Sequence, residues 1–317
     1  MSGSRLGENN GISNVMMLGY TYLFSRIIIS AMYNISVKHF KNTGISAIDI
    51  AFYSSIFGII FLLIVFPFKE KMFGKQDIKS AGFWPLMFAS LFGVALYVLF
   101  YNMATAKLQV GRVAVTYYIY PVFFYVIGSI LVDKDTKKAF NPKILTGIFI
   151  CVLGVFFTNY NEIVVQRVSD YSGYIYVLLS VFCMVTFSVI AKKYKIPTYW
   201  FLLIGQFISL GIAFFNYVGS SHGGHLKIPV PSFTQISILI LFGILANVMR
   251  EFMRIKSIEY LPISQISTWN YFSPLITGLS GILFLHETFT VYDAIGYSLV
   301  IGGNVIANFK LKSAKTQ

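Results

Sequence analysis

The chain contains an internal duplication, and this feature restricts its fold more than any other. Phe92 and the glycine after it recur at Phe242, and Tyr-Ile-Tyr-Pro ending at Pro121 corresponds to Tyr-Phe-Ser-Pro ending at Pro274. The aligned positions lie about 149 to 154 residues apart along the whole chain. A repeat of this length in a strongly apolar chain is typical of transport proteins built from two related halves.

The composition predicts an integral membrane protein. Hydrophobic residues make up 56% of the chain and charged residues 12%, and the mean hydropathy is +0.70, whereas soluble domains carry about 25% charged residues. A helix that crosses a bilayer needs about 20 mostly apolar residues. The sequence therefore predicts an all-α membrane protein with ten transmembrane helices, at residues 15–37, 47–67, 82–103, 109–131, 143–160, 172–191, 197–218, 234–255, 262–285 and 291–308.

The basic residues indicate how these spans are oriented. Apart from the four arginines inside the predicted spans, 16 lysines and arginines lie in segments or at span ends on the side of the N-terminus and 5 on the opposite side. The positive-inside rule then places both termini in the cytoplasm. We expect the inner cell membrane as the location, with an organelle's membrane as the alternative. The net charge of +13 is thus explained by topology, and no nucleic-acid partner is expected. The first fourteen residues are polar, so no cleavable signal peptide is expected.

The duplication also predicts the domain boundaries. Residues 1–160 form a first five-helix repeat, 161–172 an external linker, and 173–317 a second five-helix repeat. Because each repeat crosses the membrane an odd number of times, the two must have opposite orientations. In such inverted repeats the substrate binds at the interface between the halves, near the middle of the membrane.

Several segments resemble the EamA-type members of the drug/metabolite transporter superfamily, over essentially the whole chain. Besides the duplication, they are Tyr33 to Lys38, Pro274, His286-Glu287-Thr288, Ile295-Gly296 and Gly302-Gly303, with Asp133 of the first half aligned with Glu287. The resemblance implies two inward-facing five-helix units, with helices three, four, eight and nine lining a central cavity.

A polar stripe on the first span provides the first candidate site residues. Arg26 lies near the centre of the span, and Ser30 and Asn34 follow at four-residue steps on the same helical face. An ionisable residue within a membrane span is a functional candidate because its burial in lipid is costly. We expect Arg26 and Asn34 to contact substrate. The alternative is that Arg26 stabilises helix packing through hydrogen bonds.

Spans three and eight carry polar residues at aligned positions. Tyr97 and Tyr101 correspond to Asn247 and Glu251, again four residues apart. Equivalent polar faces in both halves predict that all four side chains face the central cavity.

Glu251 has two alternative roles. Without a partner, this buried carboxylate would bind the coupling proton. Paired with Arg254, three residues later, it would be structural. Arg250 and Arg254 align with Phe100 and Ala104, on a different helical face, and are expected to lie near lipid head groups.

Spans four and nine provide the remaining candidates. Arg112 of span four aligns with Gln265 of span nine, and Trp269 and Asn270 follow Gln265 in mid-span. We predict that all four bind substrate, since tryptophan is the strongest cation–π partner and arginine pairs with anions.

Two aligned prolines are candidate hinges. Pro121 and Pro274 are expected to bend spans four and nine at the same depth and to free backbone carbonyl groups there. Such bends would allow the two halves to move against each other.

Other patterns in the sequence argue against alternative chemistry. His222 and His225 lack supporting cysteine or carboxylate ligands, so no metal site is predicted. The chain has no P-loop, so no nucleotide cofactor is expected. An integral-membrane enzyme would need clustered His, Asp or Glu near one interface, and a channel a repeated selectivity motif. Neither pattern occurs in the sequence, so we predict that the chain is neither an enzyme nor a channel.

The candidate residues predict a secondary transporter that moves a small polar metabolite by alternating access. A cavity with guanidinium, carboxylate, amide and aromatic groups favours an amino acid or another zwitterion or amine. The alternatives are exchange of an organic anion or sugar phosphate, and export of a drug-type cation. Coupling would be to protons or to a counter-substrate, and the surrounding partner is the lipid bilayer.

Overall fold

A computed structural model describes residues 3–74, 77–120, 123, 127, 130–131, 142–160, 171–220, 229–261 and 272–308. Within these ranges the secondary structure is helical, with no β-strand. The prediction of an all-α chain is confirmed for this part of the protein.

The first half contributes five helices to this description. They are α1 (Gly3–Asn42), α2 (Ala47–Val65), α3 (Phe83–Lys107), α4 (Val110–Tyr117) and α5 (Pro142–Tyr160). A short helical stretch from Phe66 to Phe73 continues from α2.

The second half repeats this order. Its helices are α6 (Ser172–Lys193), α7 (Thr198–Ser220), α8 (the consecutive segments Phe233–Leu241, Phe242–Met249 and Arg250–Tyr260), α9 (Phe272–Leu285) and α10 (Val291–Asn308).

Length and apolar composition identify the helices suited to a membrane. Among the described residues, five helical stretches are long and apolar enough to cross it, at Ala47–Phe73, Phe83–Lys107, Ser172–Ala191, Thr198–Gly219 and Phe233–Arg254. Three shorter apolar helices accompany them, at Leu145–Tyr160, Phe272–Leu285 and Val291–Ile306. A helix satisfies its own backbone hydrogen bonds, which is what lipid requires.

Side chains at the helix starts explain where some helices begin. At α2, the Ser46 hydroxyl accepts a hydrogen bond from the Asp49 amide, and the Asp49 carboxylate accepts one from the Ser46 amide. Thr290 and Asp293 make the same reciprocal pair at the start of α10. Such pairs satisfy amide groups that have no partner within the helix.

A π-helical segment interrupts both α3 and α8. It covers Leu91–Leu96 in the first half and Phe242–Met249 in the second, so it includes the aligned phenylalanines in each. In a π-helix the backbone bonds run from residue i to i+5, and such segments are frequent at functional sites. The duplication thus extends to an irregularity of the backbone.

Each half is held by the other through reciprocal contacts. A Cβ atom on Gly19 of α1 would lie 2.7 Å from Cγ of Leu261, at the end of α8. A Cβ atom on Gly173 of α6 would lie 2.7 Å from Cγ of Leu108, at the end of α3. The first helix of each half therefore packs against the third helix of the other.

The last helices of the two halves, α5 and α10, pack closely together along their length. A Cβ atom on Gly154 would lie 2.8 Å from the carbonyl oxygen of Gly296, and one on Gly303 would lie 2.7 Å from Sγ of Cys151. Small residues let helix backbones approach in this way in membranes. Cys151 and Cys183 are both buried and free.

Candidate functional site

A polar cavity lies between the two halves, among α1, α3, α4, α6, α8 and α9. It contains about 590 Å³ of empty space, its mouth included. Its lining consists of Arg26, Ser30, Asn34, Tyr97, Tyr101, Ala114, Tyr117, Tyr118, Tyr120, Met184, Arg250, Glu251, Arg254, Ser273 and Thr277. The helices implied by the family resemblance are thus present, joined by α1 and α6.

The polar stripe on α1 faces this cavity. Arg26, Ser30 and Asn34 all belong to its lining. The side-chain amide of Asn34 donates a hydrogen bond to the Tyr101 hydroxyl, with 3.2 Å between the two atoms. The four-residue spacing in the sequence therefore placed these groups on one face.

Tyrosine rings form one wall of the cavity. The ring of Tyr117 lies 5.6 Å from that of Tyr97 and 5.2 Å from that of Tyr101, the latter edge to face. Tyr120 lies 5.1 Å from Tyr117 on its other side. Such a wall offers ring faces and hydroxyl groups together, which suits a flat polar ligand.

Three charged residues of α8, Arg250, Glu251 and Arg254, form a buried charge cluster. Oε2 of Glu251 lies 2.7 Å from Nε of Arg254, an ion pair within one helical turn. Oε1 of Glu251 lies 3.4 Å from Nε of Arg250. Only 7% of Glu251 is exposed. Both oxygens of this carboxylate therefore already face a guanidinium group.

Aromatic side chains hold the two arginines of the cluster in place. The guanidinium of Arg254 lies 4.7 Å from the ring centre of Phe187, and that of Arg250 lies 5.5 Å from the ring centre of Tyr33. The Tyr33 hydroxyl accepts a hydrogen bond of 2.6 Å from Asn102. Stacking on rings stabilises a cation and fixes its orientation.

The charge of the lining is strongly positive. It holds three guanidinium groups, from Arg26, Arg250 and Arg254, and one carboxylate, from Glu251, which is a net charge of +2. Charges in a poorly solvated space interact much more strongly than in water. The cavity therefore attracts anions.

Arg112 lies elsewhere. Its Nε atom is 3.3 Å from Oδ1 of Asp293, and both side chains are 3% exposed. Arg112 thus joins α4 to the start of α10, and the structure does not bring it into the cavity. The predicted contact of Arg112 with substrate has no geometric support.

Asn247 also lies outside the cavity. Its side-chain amide donates to the Ser54 hydroxyl at 3.0 Å and to the Gln206 carbonyl oxygen at 3.4 Å. It therefore joins α8 to α2 and α7. Its aligned partner in the first half, Tyr97, does line the cavity, so equivalent positions of the two halves have different surroundings.

Some predicted site residues lie outside the described residues. These are Gln265, Trp269, Asn270 and the hinge candidate Pro121, as well as Asp133, His222 and His225. The other hinge candidate, Pro274, is the third residue of α9 as described and is buried. Proline is tolerated in the first turn of a helix.

Arg250 and Arg254 line the cavity, although the alignment of the two halves predicted that they lie on another face of α8. Both lie with Glu251 in the regular helical segment Arg250–Tyr260, one residue before it and three residues after it. With 3.6 residues per turn, these positions lie within about 100° of Glu251, so one broad face of α8 presents all three side chains to the cavity. The available signal was the pattern Arg-Glu-x-x-Arg within an apolar span. No group of His, Cys, Asp or Glu suited to a metal occurs in the part of the chain that the structure describes.

A second set of contacts binds the connection between α3 and α4 to other parts of the bundle. Glu287, between α9 and α10, accepts hydrogen bonds from the amides of Val110, at 2.7 Å, and Gly111, at 3.4 Å. Lys38 at the end of α1 donates to the Leu108 carbonyl at 2.6 Å. We call these the junction contacts. Burial raises the pKa of the Glu287 carboxyl, and the two amide donors lower it only in part.

Comparisons with known proteins agree with this architecture. The model of the EamA-like transporter family matches the chain twice, at residues 17–160 and 171–309. A solved structure, described only as a crystal structure of a protein, superimposes with a TM-score of 0.53 at 14% sequence identity. The superposition covers 93% of this chain and 97% of the other, and at this identity it shows the fold alone. No curated protein sequence matches the chain.

Proposed function

The chain belongs to the EamA-like transporter family, and on that premise we propose that it carries a small organic anion across an inner cell membrane. The family membership makes it a multi-pass membrane transporter, and the two matched segments correspond to the two halves. The substrate class and the mechanism are our proposal.

The observation that carries the proposed substrate class is the pairing of the Glu251 carboxylate with two arginines of the cavity. Preference for an amino acid depended on a carboxylate in the cavity that would bind the substrate's ammonium group. The Glu251 carboxylate instead faces Arg254 at 2.7 Å and Arg250 at 3.4 Å. The excess charge of the lining is positive, and guanidinium groups pair well with carboxylate and phosphate. These features favour the anion over the zwitterion.

The tyrosine wall supports a ligand with a flat group. Tyr97, Tyr101 and Tyr117 present their rings at the cavity within about 6 Å of one another. A carboxylate or phosphate carried on a planar group would use the arginines and the rings together.

We further propose that transport proceeds by alternating access between two inverted five-helix repeats, with ten spans and cytoplasmic termini. The junction contacts support this mechanism, because they hold α3 and α4 to α1 and to the connection before α10. By the charge distribution of the sequence, this is the external end of the bundle. They would keep that end closed while the cavity opens to the cytoplasm.

Thermal unfolding of the purified protein with a ligand panel tests the substrate class. The panel contains amino acids, mono- and dicarboxylates and sugar phosphates, tested on the wild type, Arg26→Ala and Arg254→Gln. We expect stabilisation by carboxylates or phosphates that both variants lose. The control Lys79→Gln removes one exposed positive charge that does not belong to the cavity lining, and it should leave the stabilisation unchanged.

Two results would contradict the proposal. Stabilisation by amino acids alone would restore the zwitterion prediction. Stabilisation by an anion that survives in both arginine variants would place the binding site outside the cavity.

A further inference from the structure

We propose that substrate and Glu251 exchange places on Arg254, and that Glu251 takes up a proton when the substrate displaces it. The protein would thereby transport one proton with each anion. This inference depends on the proposed anion transport and adds the coupling ion.

Substrate and Glu251 compete for the same cation, Arg254. Arg254 has Glu251 as its charged partner at 2.7 Å, and among the described residues it also contacts the Phe187 ring at 4.7 Å and the Met184 sulfur at 3.8 Å. When an anion enters the cavity, the guanidinium group of Arg254 is already paired with the Glu251 carboxylate. The anion must therefore share the guanidinium group with Glu251 or displace it.

Two anions held in one buried space repel each other. Glu251 is 7% exposed, and two carboxylates close together cannot both stay ionised at little cost. Protonation of one of them removes the repulsion. The substrate gains the arginines by remaining charged, so the proton goes to Glu251.

The groups around Glu251 are compatible with this exchange. Besides Arg250 and Arg254, the titratable side chains of the described cavity lining are Arg26 from α1, Tyr97 and Tyr101 from α3, Tyr117 from α4, and Tyr118 and Tyr120 just after α4. From α6 and α9 the lining contributes the uncharged Met184, Ser273 and Thr277. No second carboxylate occurs in this described lining, which makes Glu251 its proton acceptor.

Uptake of one proton with each monoanion keeps the charge of the cavity lining constant through the transport cycle. The empty lining carries +2, from three arginines and the Glu251 carboxylate. With a bound monoanion and a neutral Glu251, the charge is again +2. Both the empty and the loaded protein can then reorient with the same charge in the membrane. The proton enters with the anion and leaves when Glu251 pairs with Arg254 again.

Binding measured as a function of pH tests the inference. We use benzoate, a flat monocarboxylate, and follow its affinity for the wild type and Glu251→Gln between about pH 5.5 and 8. In the wild type the Kd should rise with pH, by up to about tenfold per pH unit where one proton is linked. Glu251→Gln keeps the shape without the charge, so its Kd should be independent of pH. Glu251→Asp should retain the pH dependence.

A second measurement needs no variant. Benzoate added to weakly buffered wild-type protein should cause uptake of about one proton per bound anion, read by a pH-indicator dye. Benzoate binding without proton uptake, or with the same pH dependence in Glu251→Gln, would overturn this inference and leave anion transport standing. If neither benzoate nor inorganic phosphate binds the wild type, the anion proposal and this inference fall together.

Discussion

Arg112 and Asp293 form a buried ion pair between the two halves, with 3.3 Å from Nε to Oδ1. Asp293 also accepts hydrogen bonds of 2.7 Å from the amide and the hydroxyl of Thr290. One carboxylate therefore caps α10 and fixes it to α4. Its burial separates it from the cavity, so we assign this pair to stability.

Breaking this pair from one side should destabilise the protein strongly. Arg112→Met or Asp293→Asn leaves one charged or polar group buried without its partner, at a cost of about 3 to 5 kcal/mol. The double variant should lose less than the sum of the two. Thermal unfolding in detergent measures this. Folded Arg112→Met should bind anions as the wild type does, and loss of binding at full stability would return Arg112 to the site.

The packing of α5 against α10 gives a prediction with an internal control. A Cβ atom on Gly296 would clash with Oγ1 of Thr158 and lie 2.6 Å from the Gly154 carbonyl oxygen. One on Gly302 of the same helix would meet nothing within 4 Å. Gly296→Ala should therefore lower stability by about 1 to 3 kcal/mol.

Gly302→Ala should be neutral or slightly stabilising, since alanine favours helix over glycine. Both variants can be compared by their unfolding temperatures in one detergent. Equal effects of the two substitutions would mean that α5 and α10 are not in close contact.

Substitutions at Asn247 and Arg26 should affect stability and anion binding differently. Asn247→Ala removes buried hydrogen bonds to Ser54 and Gln206, which we expect to cost about 1 to 3 kcal/mol while anion affinity is kept. Arg26→Ala should show the opposite pattern, with affinity lowered about tenfold or more. Ligand-induced thermal shifts and unfolding without ligand measure the two effects. Loss of affinity in Asn247→Ala would contradict its assignment to helix packing.

The junction contacts predict a pH effect on stability. Burial raises the pKa of Glu287 above its ordinary value of 4.5. With a higher pKa in the folded state, its contribution to stability is full below the ordinary pKa and is lost as pH rises through the folded one. Glu287→Gln is neutral at every pH, so the unfolding temperature of the wild type should fall relative to this variant as the pH rises from about 4 to 8. Parallel curves would show that Glu287 is not perturbed.

The sequence alone predicted much of this structure because its signals repeat. Apolar length and the duplication indicated the helices and the family, and the family is confirmed by two matched segments. The spacing Arg26, Ser30, Asn34 gave the correct face because α1 is a regular helix there. The number of spans and the side of the termini stay predictions.

The site was predicted less completely, for two physical reasons. The cavity face of α8 is broader than one line of four-residue steps, so Arg250 and Arg254, which flank Glu251 on a regular helix, were placed on another face. Transfer between the halves fails as well, because Tyr97 meets the cavity whereas its counterpart Asn247 meets Ser54 and Gln206. A duplicated backbone does not keep duplicated surroundings once the two copies have diverged.

The reciprocal contacts between the halves also limit when the two halves can assemble during synthesis. Gly154 of α5 has its partner Gly296 142 residues later in the chain, and Gly19 waits for Leu261. Until the ribosome has made the second half, these close-packing faces have no match in the bilayer. The first half must therefore remain inserted but unassembled, and α10, made last, completes the bundle. A protein truncated before α10 would reach the membrane without reaching its fold.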